Sequence, residues 1–335
     1  MNDPNVTVLM PVYNGEQYLR EAIESILGQI FRDFEFLIIN DASIDNSAAI
    51  IESYTDPRIR LLHNDMNMGL AKTLNKGLEH ARGKYIARMD CDDISLPDRL
   101  KKQVAFMDKN RDIGLCGTWA RTIGAVESMW RYPIDDAHIR SRMLFENVLV
   151  HSSALFRKDL LKEHGLLYDE AYTCAQDYEF WVRISRHTNL ANLADILVLH
   201  RIHNESLGSI NREEQKKATN RIRRSQIQEL GISPNQKEVS VHNDLGSWDL
   251  RCRRSFVRDS HDWLQKLQHS NSLAKCYKEP AFSKVLAERW YGVCRSARRL
   301  GLWSWMTFWR SPLSSFVDLS LKERIGFAAR CMLRI

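Results

Sequence analysis

Residues 85–93 read Tyr-Ile-Ala-Arg-Met-Asp-Cys-Asp-Asp, a short apolar run that ends in three carboxylates within four positions. The apolar run predicts a buried β-strand, and Asp90, Asp92 and Asp93 then follow its carboxyl end directly. Carboxylates this close repel one another unless they are solvated, serve as helix caps or are neutralised by a divalent cation. A solvated acidic turn is the ordinary interpretation of an isolated pair, so the surrounding sequence has to decide.

Strand and helix patterns alternate through the first ninety residues. Apolar runs predict strands, and helical periodicity predicts helices between them; the strands are expected at residues 6–12, 34–39, 58–62 and 85–89, and the helices near residues 19–27, 48–54 and 70–81. Asn14 and Gln17 have the spacing of a capping box, and Gly83 is expected to end the third helix. This alternation predicts an α/β fold with a mostly parallel sheet and helices on both faces.

In such sheets ligands bind outside the carboxyl ends of the strands. Tyr13, Asp41 and the segment from Asp90 to Asp93 all follow predicted strand ends. We therefore expect them to share one cleft.

The pattern becomes mixed beyond Pro97 and changes again after Ile210. Strands are expected at residues 113–119 and 151–156, and helices around Leu100 and around Tyr178. After Ile210 the sequence is charged and helical, so we predict a core domain at residues 1–210 and a helical C-terminal extension at residues 211–335. No internal repeat is present.

The formal charge is +6, and the segment from Val293 onward holds eight Lys and Arg against two Asp and Glu, which accounts for all of it. This asymmetry argues against a general nucleic-acid-binding protein. The seven cysteines are scattered without C-x-x-C spacing, so neither a zinc site nor a disulfide framework is implied. The N-terminal sequence lacks the features of a secretory signal, and we expect a cytoplasmic protein.

The C-terminal segment is amphipathic. Between residues 283 and 300 one helical face is apolar, and Trp303, Trp305, Phe308 and Trp309 follow. Tryptophan and arginine together favour a membrane surface, whereas a helical subdomain packed on the core, or a dimer contact, explains the pattern equally well. The apolar run that ends before Arg310 is shorter than the roughly 20 residues that span a bilayer.

Five segments in this order resemble glycosyltransferase family 2, which has the GT-A fold. They cover about the first 210 residues and are residues 10–14 (Met-Pro-Val-Tyr-Asn), 39–45 (Ile-Asn-Asp-Ala-Ser-Ile-Asp), 83–93, 176–183 (Gln-Asp-Tyr-Glu-Phe-Trp-Val-Arg) and 201–203 (Arg-Ile-His). The resemblance implies metal-assisted transfer of a sugar, with inversion, from a nucleotide diphosphate sugar to an acceptor hydroxyl. UDP-hexose or UDP-N-acetylhexosamine is the expected donor, with Mn²⁺ or Mg²⁺ as the cofactor.

The resemblance also implies roles for individual residues. Asp92 and His203 are expected at the metal, and Asp177 is expected to be the catalytic base. The residues expected at the nucleotide sugar are Pro11, Tyr13, Glu16, Asp41, Lys72, Asn75, Asp90 and Arg201. Asp93 is expected to support its loop.

Each of these residues also has an ordinary structural interpretation. Asp41 could stabilise the turn after its strand, and Tyr13 could be a half-buried loop aromatic. Asp177 could complement a helix dipole, and a lone histidine such as His203 is commonly structural. His151 could face the acceptor, although a structural role is the more ordinary one.

The chain departs from the family pattern at several positions. Gln176 stands where Glu is common, which leaves the base in place but alters its surroundings, and His200 stands where Tyr is common. Asn40, Ala42 and Leu74 are further departures, and Lys72 is expected to replace a cation that commonly precedes Asn75. These departures also motivate an alternative: a catalytically inactive GT-A-fold scaffold at a membrane-bound assembly site.

Other enzyme classes fit the sequence less well. A nucleotidyltransferase or a dinucleotide-dependent oxidoreductase would carry a glycine-rich phosphate loop after the first strand, where only Gly15 occurs. A lipid-linked oligosaccharide is the natural acceptor if the C-terminal segment binds a membrane, which makes bacterial surface polysaccharide or O-antigen assembly plausible. The sequence does not identify the sugar, the linkage or the oligomeric state.

Overall fold

The computed structural model describes residues 3–203 and 211–335. These residues separate into two units, one formed by Met1–Asp136 with Val148–Ala218 and the other by Ala137–Asn147 with Thr219–Ile335. The boundary that the sequence suggested near Ile210 lies outside the described residues. Each unit has its own apolar core.

The first unit is built on one mixed β-sheet, which has nine strands in the described residues. The strands are β1 Val6–Val12, β2 Phe34–Asn40, β3 Ile59–His63, β4 Tyr85–Arg88, β5 Ile94–Ser95, β6 Ile113–Gly124, β7 Met129–Trp130, β8 Leu155–Arg157 and β9 Asn189–Ile202. Their order is β3-β2-β1-β4-β8-β6-β9-β5, and β7 pairs with β6.

The first four strands form a parallel half-sheet that sets the position of the polar loops. Val12 is opposite Asn40, and Leu9 is opposite Arg88, so β1, β2 and β4 end at the same edge. All residues of these three strands are buried, as expected for a parallel sheet covered on both faces. The loops after Val12, Asn40 and Arg88 therefore meet, as the sequence predicted. Strand β8 then pairs antiparallel with β4 and β6 and begins the mixed half of the sheet.

Several helices pack on this sheet through apolar faces, and seven helices contribute a turn or more to the first unit as described. They are α1 Leu19–Leu27, α2 Ser47–Glu52, α3 Leu70–His80, α4 Arg99–Lys109, α6 Lys158–His164, α7 Gln176–Ser185 and the N-terminal part of α8 Arg212–Glu229. In α1 the buried positions are Leu19, Ala22, Ile23 and Ile26, which follow the 3.6-residue period of an amphipathic helix.

Two local predictions were wrong. Asn14 does not cap α1, which begins at Leu19 without a side-chain cap. Asn14 has a left-handed backbone, φ 50°, and its Oδ1 accepts a hydrogen bond from the Ile44 amide at 2.9 Å, so it joins two loops instead. Gly83 does not end α3, which stops at His80. A Cβ at Gly83 would lie 2.3 Å from the Thr7 amide nitrogen, so this glycine permits close approach to β1.

The strand expected at residues 151–156 is only partly present. His151–Ser153 forms a 3₁₀ turn, and β8 begins at Leu155. The turn is held from within, because the Ser153 hydroxyl donates to the Val150 carbonyl at 2.9 Å. It places His151 at the edge of the cleft instead of inside the sheet.

The second unit is helical. It contains α5 Asp136–Met143 except for Asp136, and the part of α8 from Thr219 onward. Its other helices are α9 Gln236–Ser247, α10 Arg254–Ala274, α11 Ala281–Ser296, α12 Leu302–Arg310 and α13 Leu321–Leu333. Trp263 and Trp290 are fully buried at its centre, together with Phe282, Leu286 and Phe308. No described helix is long and apolar enough to cross a membrane.

The structure corrects the expected membrane face of residues 283–300. The apolar side chains of this face, Val285, Leu286, Trp290, Val293 and Ala297, are buried in the core of the helical unit. Trp303, Trp305 and Trp309 are half-buried and pack against the same core. The face that the sequence favoured for lipid is therefore occupied by the protein itself, which is the subdomain alternative.

Candidate active site

A cavity of about 830 Å³ lies at the carboxyl edge of the parallel strands. It is lined by Pro11 at the end of β1, by Tyr13 after β1, by Asp41 after β2, and by Asp90 and Asp92 after β4. Asp177 at the start of α7, and His200, Arg201 and His203 at the end of β9, complete it. The chain thus brings together side chains from five separate parts of the first unit.

Asp90 is paired with a buried arginine at the end of the preceding strand, β4. The Nη2 of Arg88 lies 2.5 Å from Oδ1 of Asp90, and the Arg88 guanidinium also donates to the Met89 carbonyl. Burial raises the pKa of Asp90, but the nearby positive charges, that of Arg88 first, together with the Arg88 hydrogen bond hold that pKa below its usual range. Asp90 is therefore kept ionised with one oxygen in use.

Asp92 is paired with His203. The His203 Nε2 lies 2.9 Å from Oδ2 of Asp92. Burial, together with the adjacent Asp93 and Asp90 carboxylates, raises the pKa of Asp92 to about 6. Negative charge is thus crowded at this carboxylate, and a bound cation would relieve that crowding.

Arg201 fixes the loop that carries Asp92. Its Nε donates to the Asp92 carbonyl at 2.9 Å, and its Nη2 lies 2.6 Å from Oε2 of Glu21. The guanidinium also stacks over the ring of Tyr18, 4.3 Å from its centroid. Arg201 lines the cavity, but its polar atoms are already directed at protein groups.

Asp93 is fully buried and supports the loop, as the resemblance implied. Its carboxylate accepts hydrogen bonds from the Ser152 hydroxyl, from the Arg201 amide at 2.7 Å and from the His200 ring at 3.0 Å. Burial would lower the pKa of His200, but the Asp93 carboxylate raises it to about 9. This ion pair joins the β4 loop to the end of β9.

His151 and Tyr168 form a second polar pair in the first unit. The His151 Nε2 lies 3.1 Å from the Tyr168 hydroxyl, and the His151 ring packs edge-on against Trp181. Burial, together with the Arg88 charge, lowers the pKa of His151 to about 3, so this ring is neutral. His151 lines the cavity as a neutral hydrogen-bonding group.

Asp177 lies in the first turn of α7 and lines the same cavity as Asp90 and Asp92. Burial raises the pKa of the Tyr168 phenol, and the charges of Asp177 and Asp90 add to the rise. Tyr168 is therefore within electrostatic range of both carboxylates. Asp177 thus lines the cavity where the resemblance implies a catalytic base.

Asp41 is almost fully buried and accepts three hydrogen bonds from the protein. Its Oδ1 accepts from the Asn64 amide group at 2.7 Å and from the Met68 backbone at 2.9 Å, and its Oδ2 accepts from the Gly69 backbone at 3.0 Å. Asp41 therefore has a structural role, but it holds the loop between β3 and α3 and not the turn after its own strand. Asp41 also lines the cavity, and Tyr13, which is exposed, lines it as well.

Three residues expected at the nucleotide sugar do not line this cavity. Glu16 accepts two hydrogen bonds from Asn46, at 2.9 and 2.7 Å. It therefore holds the loop after β2 and does not face the cavity. Asn75 exchanges two hydrogen bonds with the Tyr168 backbone, at 2.9 and 2.8 Å. Lys72 and Asn75 line a separate cavity of about 930 Å³ on the other flank of α3, where Lys72 lies 3.9 Å from Glu170. We do not carry these three residues into the proposed site.

Sequence reasoning did not single out Arg88 or Tyr18. Arg88 could have been found, because residues two apart in an extended strand point to the same side, which aligns Arg88 with Asp90. Tyr18 gave no such signal. Its role depends on Arg201 and on His203, whose ring centroid lies 5.2 Å from that of Tyr18.

The side chains of Asp92 and His203 fit a divalent cation that keeps few protein ligands. No group of three or more His, Cys, Asp and Glu converges within residues 3–203 and 211–335. Asp92 and His203 offer one oxygen and one nitrogen 2.9 Å apart, and Mn²⁺ or Mg²⁺ commonly takes its remaining ligands from water and substrate phosphates.

Comparison with known proteins agrees with this geometry. Residues 7–165 match the family model described as glycosyl transferase family 2. An uncharacterized glycosyltransferase of Haemophilus influenzae is 35% identical over 239 residues, which are 68% of this chain and 74% of the relative. The O-antigen biosynthesis glycosyltransferase WbnJ of Escherichia coli is 34% identical over 210 residues, which are 60% of this chain and 81% of WbnJ.

The fold is also similar to that of a solved structure. S. aureus TarS 1-349 in complex with UDP-GlcNAc superposes with a TM-score of 0.59 and 18% identity, covering 89% of this chain and 88% of that chain. At this identity the likeness shows the fold alone. The mixed α/β sheet with C-terminal helices is thus the GT-A type of architecture, and the chain belongs to glycosyltransferase family 2.

Proposed function

We propose that this protein is an inverting, metal-dependent glycosyltransferase that moves a hexose or N-acetylhexosamine from UDP to an acceptor hydroxyl. The observation that carries the proposal is the single cavity that holds the Asp92–His203 pair, the clamped Asp90 and Asp177. The TarS complex with UDP-GlcNAc supports the choice of nucleotide.

The donor side of the cavity matches a nucleoside diphosphate. Tyr13 offers an exposed aromatic face on which a base can stack, and Asp41 is positioned beside it with one Oδ2 lone pair in excess of its three hydrogen bonds. Asp92 and His203 would hold the metal ion, whose chemistry is to neutralise the negative charge that develops on the departing diphosphate. Asp90 is fixed by Arg88 near the same place.

The acceptor side depends on Asp177. An inverting transfer needs a base on the face opposite the leaving group, which accepts the proton of the attacking hydroxyl as the new glycosidic bond forms. Asp177 lies on α7, an element separate from the Asp90–Asp92 loop, and it enters the cavity at the helix N-terminus. The neutral His151, held by Tyr168, supplies a further hydrogen-bonding group for a sugar hydroxyl.

We propose that the protein acts in the assembly of a bacterial surface polysaccharide, with a lipid-linked glycan as the acceptor. The name of the relative WbnJ supports O-antigen assembly as the setting. A cytoplasmic enzyme bound peripherally to the inner face of the membrane would meet such an acceptor.

Thermal unfolding with UDP, GDP and ADP, each with and without Mn²⁺, tests the donor assignment. We expect UDP with Mn²⁺ to raise the Tm most, because a ligand that binds only the folded state stabilises it by mass action. Release of UDP from a panel of UDP-sugars, and the anomeric configuration of the product by NMR, then test the reaction. A larger shift with GDP would refute the uridine assignment, and retention of configuration would refute the proposed mechanism.

A further inference from the structure

The last helix, α13, exposes an apolar stripe. Leu321, Ile325 and Met332 are 73%, 60% and 64% exposed. At about 100° per residue they fall, together with Ala329, on one side of the helix within about 80°. Phe327 and Cys331 lie on the other side and are buried in the core of the helical unit. The name α13 stripe is used below for Leu321, Ile325, Ala329 and Met332.

Helix α12, in the same unit, also exposes apolar side chains. It packs on α13, and it exposes Leu302 and Met306, which are four residues apart and therefore lie on one face. The half-buried side chains of Trp303, Trp305 and Trp309 lie along the same helix. The helical unit thus leaves large apolar side chains in solvent on both of its last two helices.

Cations flank the stripe. Lys322 and Arg324 fall on either side of Leu321 and Ile325 around the helix. Arg324 lies over the Trp309 ring, 5.3 Å from its centroid, and Lys322 is exposed. The one acid of the helix, Glu323, is tied into a capping box with Ser320. The stripe is therefore apolar with a basic border.

Helix length decides how such a surface can meet lipid. The 13 residues of α13 make a helix of about 20 Å, whereas the hydrocarbon core of a bilayer is about 30 Å thick. A helix of this length with an apolar stripe and a basic border suits the plane of the interface, where apolar side chains enter the lipid boundary and cations meet anionic head groups.

Charge also distinguishes lipid from a second copy of the chain. A symmetric dimer through the stripe would place the same patch of both copies together. Each copy would bring Lys322 and Arg324 at the border of the stripe, with Glu323 as the one acid of the helix, so the two patches would repel each other. An anionic membrane surface complements this charge instead.

We propose that the α13 stripe is a docking face for an anionic lipid bilayer. The inference rests on the proposed membrane location of the enzyme and deepens it, and it moves the lipid contact from the apolar face of residues 283–300 and the tryptophans that follow it to the outer face of α13. It does not involve the donor cavity, so membrane binding and nucleotide binding can be tested separately.

The test is co-sedimentation of the full chain with vesicles. Wild type is expected to bind vesicles of phosphatidylcholine with phosphatidylglycerol, to bind pure phosphatidylcholine vesicles weakly, and to be released by salt. The double variant Leu321→Gln/Ile325→Gln is expected to lose about tenfold in partition coefficient, because two large apolar side chains no longer enter the lipid. Lys322→Gln is expected to lose about fivefold on the anionic vesicles alone.

Leu273→Gln is the matched control, because Leu273 on α10 is also 73% exposed but lies outside the stripe. We expect Leu273→Gln to bind like wild type, and all variants to keep the same Tm shift with UDP and Mn²⁺. Failure of wild type to bind anionic vesicles, or equal losses in the control and the double variant, would overturn the proposal. A dimer in solution that Ile325→Gln converts to monomer, without vesicle binding, would overturn it in favour of self-association. If UDP with Mn²⁺ did not shift the Tm of wild type, the proposed function would be refuted, and the vesicle result would still stand.

Discussion

The Nε2 of His203 lies 2.9 Å from Oδ2 of Asp92, although the two residues are 111 positions apart in the chain. Two features hold the pair in place. Arg201 donates to the Asp92 carbonyl, and the buried Asp93 accepts from the Arg201 amide, so the end of β9 is joined to the loop after β4. The pair is therefore part of a fixed arrangement and is suited to hold a cation.

Substitutions at this pair should weaken metal-dependent nucleotide binding. For Asp92→Asn we expect the Tm shift with UDP and Mn²⁺ to fall to the value seen with UDP alone, because the charged ligand is lost. For His203→Ala we expect the Mn²⁺ concentration at the midpoint of the titration to rise by about tenfold to 100-fold, because one metal ligand is lost while Asp92 remains. Titration of Mn²⁺ in thermal unfolding measures both. An unchanged Mn²⁺ midpoint in Asp92→Asn would remove this residue from the metal site.

Asp177→Asn should separate catalysis from binding. We expect kcat to fall by about 100-fold to 10,000-fold, the usual range for loss of a general base, with the UDP and Mn²⁺ shift unchanged. Glu179→Gln is the control from the same helical turn, because Glu179 is already paired with Arg183 at 2.6 Å. This control should keep most of its activity. Transfer by Asp177→Asn at the wild-type rate would show that another group accepts the proton.

Arg88 should act through the ionisation of Asp90. In Arg88→Met the burial of Asp90 remains while its positive partner is gone, so the pKa of Asp90 should rise from its lowered position. We expect the binding of UDP with Mn²⁺ to weaken. The pH below which binding is lost, because Asp90 becomes protonated, should move to a higher value. Arg88→Lys should bring this pH part of the way back towards the wild-type value, because lysine keeps the positive charge. It cannot contact Met89 and Asp90 with two nitrogens at once as the guanidinium does. A parallel loss of binding at all pH values would indicate a purely structural role.

The positions of the site residues were predictable to the extent that strand ends determined them. Tyr13, Asp41, Asp90 and Asp92 follow strands whose parallel pairing brings them to one edge, and the structure places them there. Glu16 does not line the cavity, because it faces Asn46, thirty residues later, and local sequence does not encode that contact.

The three carboxylates of the opening motif show the same limit. Asp90, Asp92 and Asp93 are close in sequence but have different partners: an arginine at the end of β4, a histidine after β9 and a set of buried donors. Only the Arg88 contact is local. The other two depend on how β9 returns beside the loop, which the spacing of residues cannot specify. The same holds for Trp290, whose burial depends on the packing of the helical unit around it.

The His200–Asp93 pair should make the stability of the protein depend on pH. The pKa of His200 is raised from 6.5 to about 9 in the folded protein, so the folded state holds the proton more tightly than the unfolded chain does. The resulting stabilisation is fully present below pH 6.5 and is lost as the pH rises through about 9. We expect wild type to have a higher Tm than His200→Gln at pH 6.5, and the gap to narrow steadily towards pH 9. Thermal unfolding of both proteins without ligand measures this, and a constant gap across the range would show that His200 is not charged in the folded state. His261→Gln serves as the control, because burial lowers the pKa of His261 and its effect on Tm should not diminish over the same range.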